Sequence, residues 1–168
     1  MTAYVLCVWL HILAATVWIG GMVFFATVIV PVLRRSEVSR GSIPLLRLIG
    51  ARFRVVGWIT LATLVVTGIL NLRFRGIDWP VLSDSRFWAT GFGHTLGRKL
   101  GLVVLVMIAA GAHDVMIGRR AMEALERAPD SSEAKRTRRL ASWLGRIALL
   151  LSIAILFLAV ALVRGFLS

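Results

Sequence analysis

The sequence predicts an all-α integral membrane protein, with four transmembrane helices in an antiparallel bundle forming one domain over residues 1–168. Three observations carry that expectation. The chain is 58% hydrophobic, with a mean hydropathy of +0.85. Its apolar residues gather into four long runs, each close to the roughly 17–25 residues that a helix needs to cross about 30 Å of hydrocarbon. Residues 1–33 contain no Asp, Glu, Lys or Arg. A bilayer offers no water to unpaired backbone groups, so each run must satisfy its own as a helix.

Taken in order, the expected helices cover residues 4–33, 55–72, 94–118 and 141–164. The first lacks a positively charged n-region and is too long for a signal-peptide h-region, so it reads as a retained helix. His11, Ala14, Ala15, Trp18, Gly21, Met22 and Phe25 recur along it at spacings of three and four, which places them on one stripe. On the second, Thr60, Thr63, Thr67 and Asn71 form a polar stripe, suited to interhelical hydrogen bonds or to lining a hydrated pocket. Gly93, Gly97 and Gly101 open the third as a doubled G-x-x-x-G pattern, which predicts close packing against a neighbouring helix or a second copy of the chain, a homo-oligomer. The fourth offers only Ser152 between residues 147 and 163, so packing and lipid contact are its expected work.

Charge placement sets the expected orientation. The first loop carries Arg34, Arg35, Arg40, Arg47, Arg52 and Arg54, and the third Arg119, Arg120, Arg127, Lys135, Arg136, Arg138, Arg139 and Arg146. The opposite side holds only Arg73, Arg75, Arg86, Arg98, Lys99 and Arg164. The positive-inside rule then puts loops one and three in the cytoplasm and both termini outside an inner (plasma) membrane. A net charge of +12 therefore points to anionic phospholipid at the cytoplasmic loops rather than to nucleic acid. In loop three, residues 121–127 form a short amphipathic turn, and Pro129-Asp130-Ser131-Ser132 is a turn signal.

The candidates for chemistry are few. Cys7 is the single cysteine, which excludes an intrachain disulfide and any site built from several thiolates, and it reads as a small packed residue. Ionisable groups inside a bilayer are costly and usually face a bundle interior, a cavity or a cofactor, so His11 is the first suspect. Imidazole suits iron, copper and zinc, and depth decides which histidines can cooperate. At 1.5 Å per residue His11 lies about 34 Å from Arg34, and His94 about 38 Å from Arg119, whereas His113 is about 9 Å from Arg119. His11 and His94 therefore share the outer level, as candidate metal or cofactor ligands, with His94 in a loop or on the helix. His113 and Asp114 form a second candidate site near the cytoplasmic face, where Asp114 is expected to pair with Arg52, Arg54 or Arg119. Met22, Met107 and Met116 are isolated and read as gap fillers.

The stretch Leu10-His11-Ile12-Leu13-Ala14-Ala15-Thr16-Val17-Trp18-Ile19-Gly20-Gly21-Met22-Val23-Phe24, ending at Pro31, resembles the opening helix of the CopD copper-resistance membrane family. Arg52-Phe53 leading into Thr67-Gly68-Ile69-Leu70-Asn71, and Lys99-Leu100 in the third helix, are similar to that family as well, so the likeness spans roughly residues 8–117. More weakly, the Leu-His and Trp-x-x-Gly layout resembles the HemJ-type membrane protoporphyrinogen oxidases. The CopD resemblance implies an inner-membrane protein of copper uptake or homeostasis, with intramembrane histidines binding copper or haem b. Of the family's residues His11 transfers most directly. With four helices and no Met-rich or His-rich external segment, the chain looks like the isolated conserved domain of longer members. The HemJ resemblance implies instead a haem b redox enzyme in which Lys99 or Arg98 meets porphyrinogen carboxylates by charge-assisted bonds. A structural membrane subunit is the third reading.

Overall fold

The computed structural model describes residues 1–33, 43–117 and 131–164. The first apolar run is helical from end to end: α1 (Thr2–Phe24), a π-helical turn (Phe25–Ile29) and α2 (Val30–Leu33). Pro31 explains the change of winding. A proline has no N–H to donate back to residue 27 and its ring crowds that carbonyl, so the preceding turn opens into the wider i→i−5 pattern, with Val30 N donating to Phe25 O.

Next comes α3 (Ile43–Phe74), then two short helices, α4 (Trp79–Ser83) and α5 (Ser85–Trp88), and the long helices α6 (Gly91–Ile117) and α7 (Ser132–Arg164). The described residues thus contain four helices long and apolar enough to cross a membrane, and the chain is an all-α integral membrane protein. Most of the apolar surface is turned outward: Trp9, Ile12, Ile59, Ile108, Leu150 and Phe157 are exposed, as lipid-facing residues must be.

Helix α3 begins twelve residues, and α7 nine residues, before the expected starts at 55 and 141. Those expectations followed the apolar runs, but Arg, Lys, Leu and Ala are good helix formers, so the basic flanks continue the helices beyond the hydrocarbon. Ser131 starts α7 by accepting a bond from Ala134 N at its hydroxyl. Arg34, Arg35, Arg40, Arg119, Arg120, Arg127, the turn at residues 121–127 and Pro129-Asp130 lie outside the described residues.

Packing pairs α1 with α3 and α6 with α7, and α1 also touches α7. The inward stripe of α1 is as expected: Ala14 is buried, and His11, Ala15, Trp18, Gly21, Met22 and Phe25 are half-buried. Glycines let aromatic rings in close. A Cβ on Gly21 would stand 3.2 Å from the Phe53 ring, and one on Gly57 3.3 Å from the Trp18 ring. The Trp18 indole N–H donates to Ser152 Oγ on α7 at 3.0 Å, which gives the fourth helix's polar residue a packing role.

The chain's own loop around Phe87 and Trp88 fills the space over Gly93 and Gly97. A Cβ on Gly93 would collide with the Phe87 carbonyl and lie 2.9 Å from Trp88 Cα, and one on Gly97 would touch the Trp88 ring at 3.5 Å. Gly101 meets nothing within 4 Å. The loop is held in place by α4 and α5, where Asp84 accepts from Arg86 N at 2.9 Å and the Trp88 indole donates to Leu82 O at 2.9 Å. Asp78 and Asp84 before these two helices, and Pro80 in the first turn of α4, are the start signals that an apolar-run reading passes over.

Candidate functional site

The register between α1 and α3 fixes the level of every candidate on them. Tyr4 meets Phe74 edge-on at 5.8 Å, with its hydroxyl accepting from Arg75 Nε at 3.4 Å, while His11 reaches Thr67 and Trp18 lies over Gly57. In this antiparallel pair Cys7 and Asn71 fall at one level, between the Tyr4 and His11 layers.

The His11 ring is anchored at Nδ1, 2.7 Å from Thr67 Oγ1. A hydroxyl has one hydrogen. When that of Thr67 is given to Thr63 O, 2.6 Å away in its own helix, Thr67 Oγ1 accepts from His11 Nδ1–H and Nε2 keeps its lone pair. Metal-binding histidines are prepared in this way: a bond on one ring nitrogen fixes tautomer and orientation and leaves the other as a ligand. Gly68 makes room for the ring, since a Cβ there would stand 3.6 Å from His11 Cε1.

Three further groups share this level. Cys7, one helical turn from His11 on α1 and buried, donates its thiol to Thr67 O at 3.5 Å. Lys99, half-buried on α6, is close enough for its charge to act on the His11 ring, and Arg75 bears in turn on Lys99. Asn71 Oδ1 is buried without a partner among the described residues. An imidazole whose second nitrogen can act as a ligand and a neighbouring thiol suit a metal ion of low coordination number. No three His, Cys, Asp or Glu side chains converge among the described residues, so a closed tetrahedral site is not built there.

Sequence reasoning passed over Cys7, because a lone cysteine in an apolar run carries no signal. The i, i+4 spacing of Cys7 and His11 was the available clue. The Thr60, Thr63, Thr67 and Asn71 stripe divides. Thr60 and Thr63 donate only to carbonyls of their own helix, whereas Thr67 receives bonds from α1 at both its hydroxyl and its carbonyl.

His94 lies on α6, exposed, with its backbone N donating to Thr90 O. It is five residues before Lys99, hence roughly 140° around the helix from the residue whose charge reaches His11. Arg98 is exposed too. At the other end of the bundle Asp114 pairs with Arg54 Nε at 3.6 Å and accepts from the Trp58 indole at 2.8 Å, with His113 half-buried beside it. The expected Asp114–arginine pair is thus present, with Arg54 as the partner, and it ties α6 to α3. Thr67 is nine to thirteen residues from Trp58 and Arg54 on α3, so roughly 14–20 Å separates the two levels.

The sequence model for copper resistance protein D matches residues 47–162, more than half of the chain. The chain belongs to the CopD family. That match begins inside α3 and runs through α6 into α7, so the opening helix, where the residue likeness is strongest, lies outside it. The role of His11 consequently rests on its geometry. A protein of Aquifex aeolicus (strain VF5), described as an uncharacterized protein, is 28% identical over 163 residues, 96% of each chain. No solved structure matches. Membership in the CopD family makes this a copper-resistance-related membrane protein.

Proposed function

We propose that this CopD-family protein acts in copper homeostasis at the inner membrane by binding copper at His11, in the outer half of the bundle, with both termini outside and the basic loops on anionic phospholipid. The observation that carries the reading is the His11 to Thr67 to Thr63 chain of hydrogen bonds, which ties an intramembrane imidazole to α3 through Nδ1, so that Nε2 is the nitrogen proposed as ligand. Placing a ring at this depth is costly and favours a ligand as its purpose. Lys99, on which Arg75 bears in turn, adds positive charge near the ring.

His94, exposed near the start of α6 and turned from the side that bears on His11, stays outside the proposed ligand pair, and His113 with Asp114 is the second-site candidate. The exposed basic residues of α7, Lys135, Arg136, Arg139 and Arg146, are placed to meet phospholipid head groups.

An absorption spectrum with metal analysis of the purified protein tests the reading. The expected result is one copper per chain and no Soret band. A Soret band would establish haem b instead, with Lys99 and Arg98 as carboxylate partners in a redox enzyme. Neither copper nor haem would leave a structural subunit.

A further inference from the structure

We infer that the copper site is specific for Cu(I), held between the Cys7 thiolate and His11 Nε2; this deepens the proposed function and rests on its His11 assignment. Two independent contacts bring the donors together. Both side chains seat on one residue of α3, Cys7 on the carbonyl of Thr67 and His11 on its hydroxyl. On α1 they are also i and i+4, neighbours on one face with Cβ atoms about 5–6 Å apart. A linear S–metal–N unit needs a separation of roughly 4.3 Å, the sum of metal–sulfur and metal–nitrogen bonds near 2.3 and 2.0 Å, which lies within side-chain reach of that spacing.

The donor chemistry selects the oxidation state. Thiolate is soft and selects Cu(I), and two donors are too few for zinc, which takes four. Among the described residues no third His, Cys, Asp or Glu joins the pair.

Binding changes no oxidation state. The Cys7 S–H bond breaks and an S–Cu bond forms, His11 Nε2 donates its lone pair to the same ion, and the thiol proton leaves to water at the outer end. Thr67 O loses its bond from the thiol, while the His11–Thr67 bond is kept.

The test uses the whole protein in detergent under reducing conditions, with Cu(I) presented against the chelator bicinchoninate. Wild type is expected to take one Cu(I) per chain. Cys7→Ser and His11→Ala should each weaken binding by more than the roughly 10–100-fold that loss of a supporting group costs. Because Cys7 is the single cysteine, N-ethylmaleimide reports on it alone, and bound Cu(I) should slow its modification in the unmutated protein. Full Cu(I) affinity in folded Cys7→Ser, or modification at an unchanged rate, overturns the Cys7–His11 pair and leaves the His11 reading standing. Full affinity in His11→Ala, or no copper on wild type, overturns both.

Discussion

Alanine at His11 is expected to abolish copper binding, whereas alanine at His113 should leave the His11 site occupied. The difference follows from depth. His11 meets α3 at Thr67, while Asp114, beside His113, meets it at Trp58 and Arg54, roughly 14–20 Å away along the helix. Two ligands of one ion must approach it to about 2 Å, so these levels cannot share a metal. His94→Ala should leave copper affinity nearly unchanged, because His94 is exposed and turned from the side of α6 that bears on His11. Between these limits lies Thr67→Val, which keeps the bulk but frees Nδ1. Losing the supporting bond should cost roughly 10–100-fold in copper affinity, and Thr67→Ser should restore it. Copper titration of the five variants beside wild type reads all of this, and an equal loss in the three histidine variants, with folding intact, would contradict the two levels.

The largest effect on stability is expected at Gly93. A methyl group there has no room, since its neighbours are the Phe87 carbonyl and Trp88 Cα, backbone atoms that cannot rotate away as a side-chain tip can. Overpacking of this kind costs about 1–3 kcal/mol and more when backbone must move. Gly93→Ala should therefore unfold at a clearly lower temperature in detergent. Gly101→Ala is the matched control, because nothing lies within 4 Å of that Cβ and alanine is the better helix former by about 1 kcal/mol. Equal melting temperatures for the two variants would show that the loop around Phe87 and Trp88 does not sit on Gly93.

The spans were legible because hydropathy and length speak directly to bilayer thickness, and the inward stripe of α1 because packing repeats every three and four residues. Helix ends were less so. Ile43 and Ser132 begin helices whose first turns are basic and lie beyond the apolar run, where hydropathy is silent although helix propensity is not. The glycine pattern was visible but its partner was not. G-x-x-x-G specifies a surface that accepts close approach, and whether a neighbouring helix, a second chain or a local loop takes it depends on residues such as Trp88 whose placement follows from α4 and α5. At the site, His11 stood out by its charge-free surroundings and Lys99 by its charge within the third apolar helix. Cys7 did not, since its significance lies in meeting the same threonine as His11 across sixty residues of sequence.

The ligand itself is seen most directly by X-ray absorption at the copper edge of protein loaded with one equivalent of copper. The account predicts a first-shell nitrogen at about 2 Å together with the outer-shell scattering of an imidazole ring, both missing from identically treated His11→Ala. Loaded wild type without imidazole scattering, or a His11→Ala spectrum indistinguishable from it, would contradict copper binding through His11.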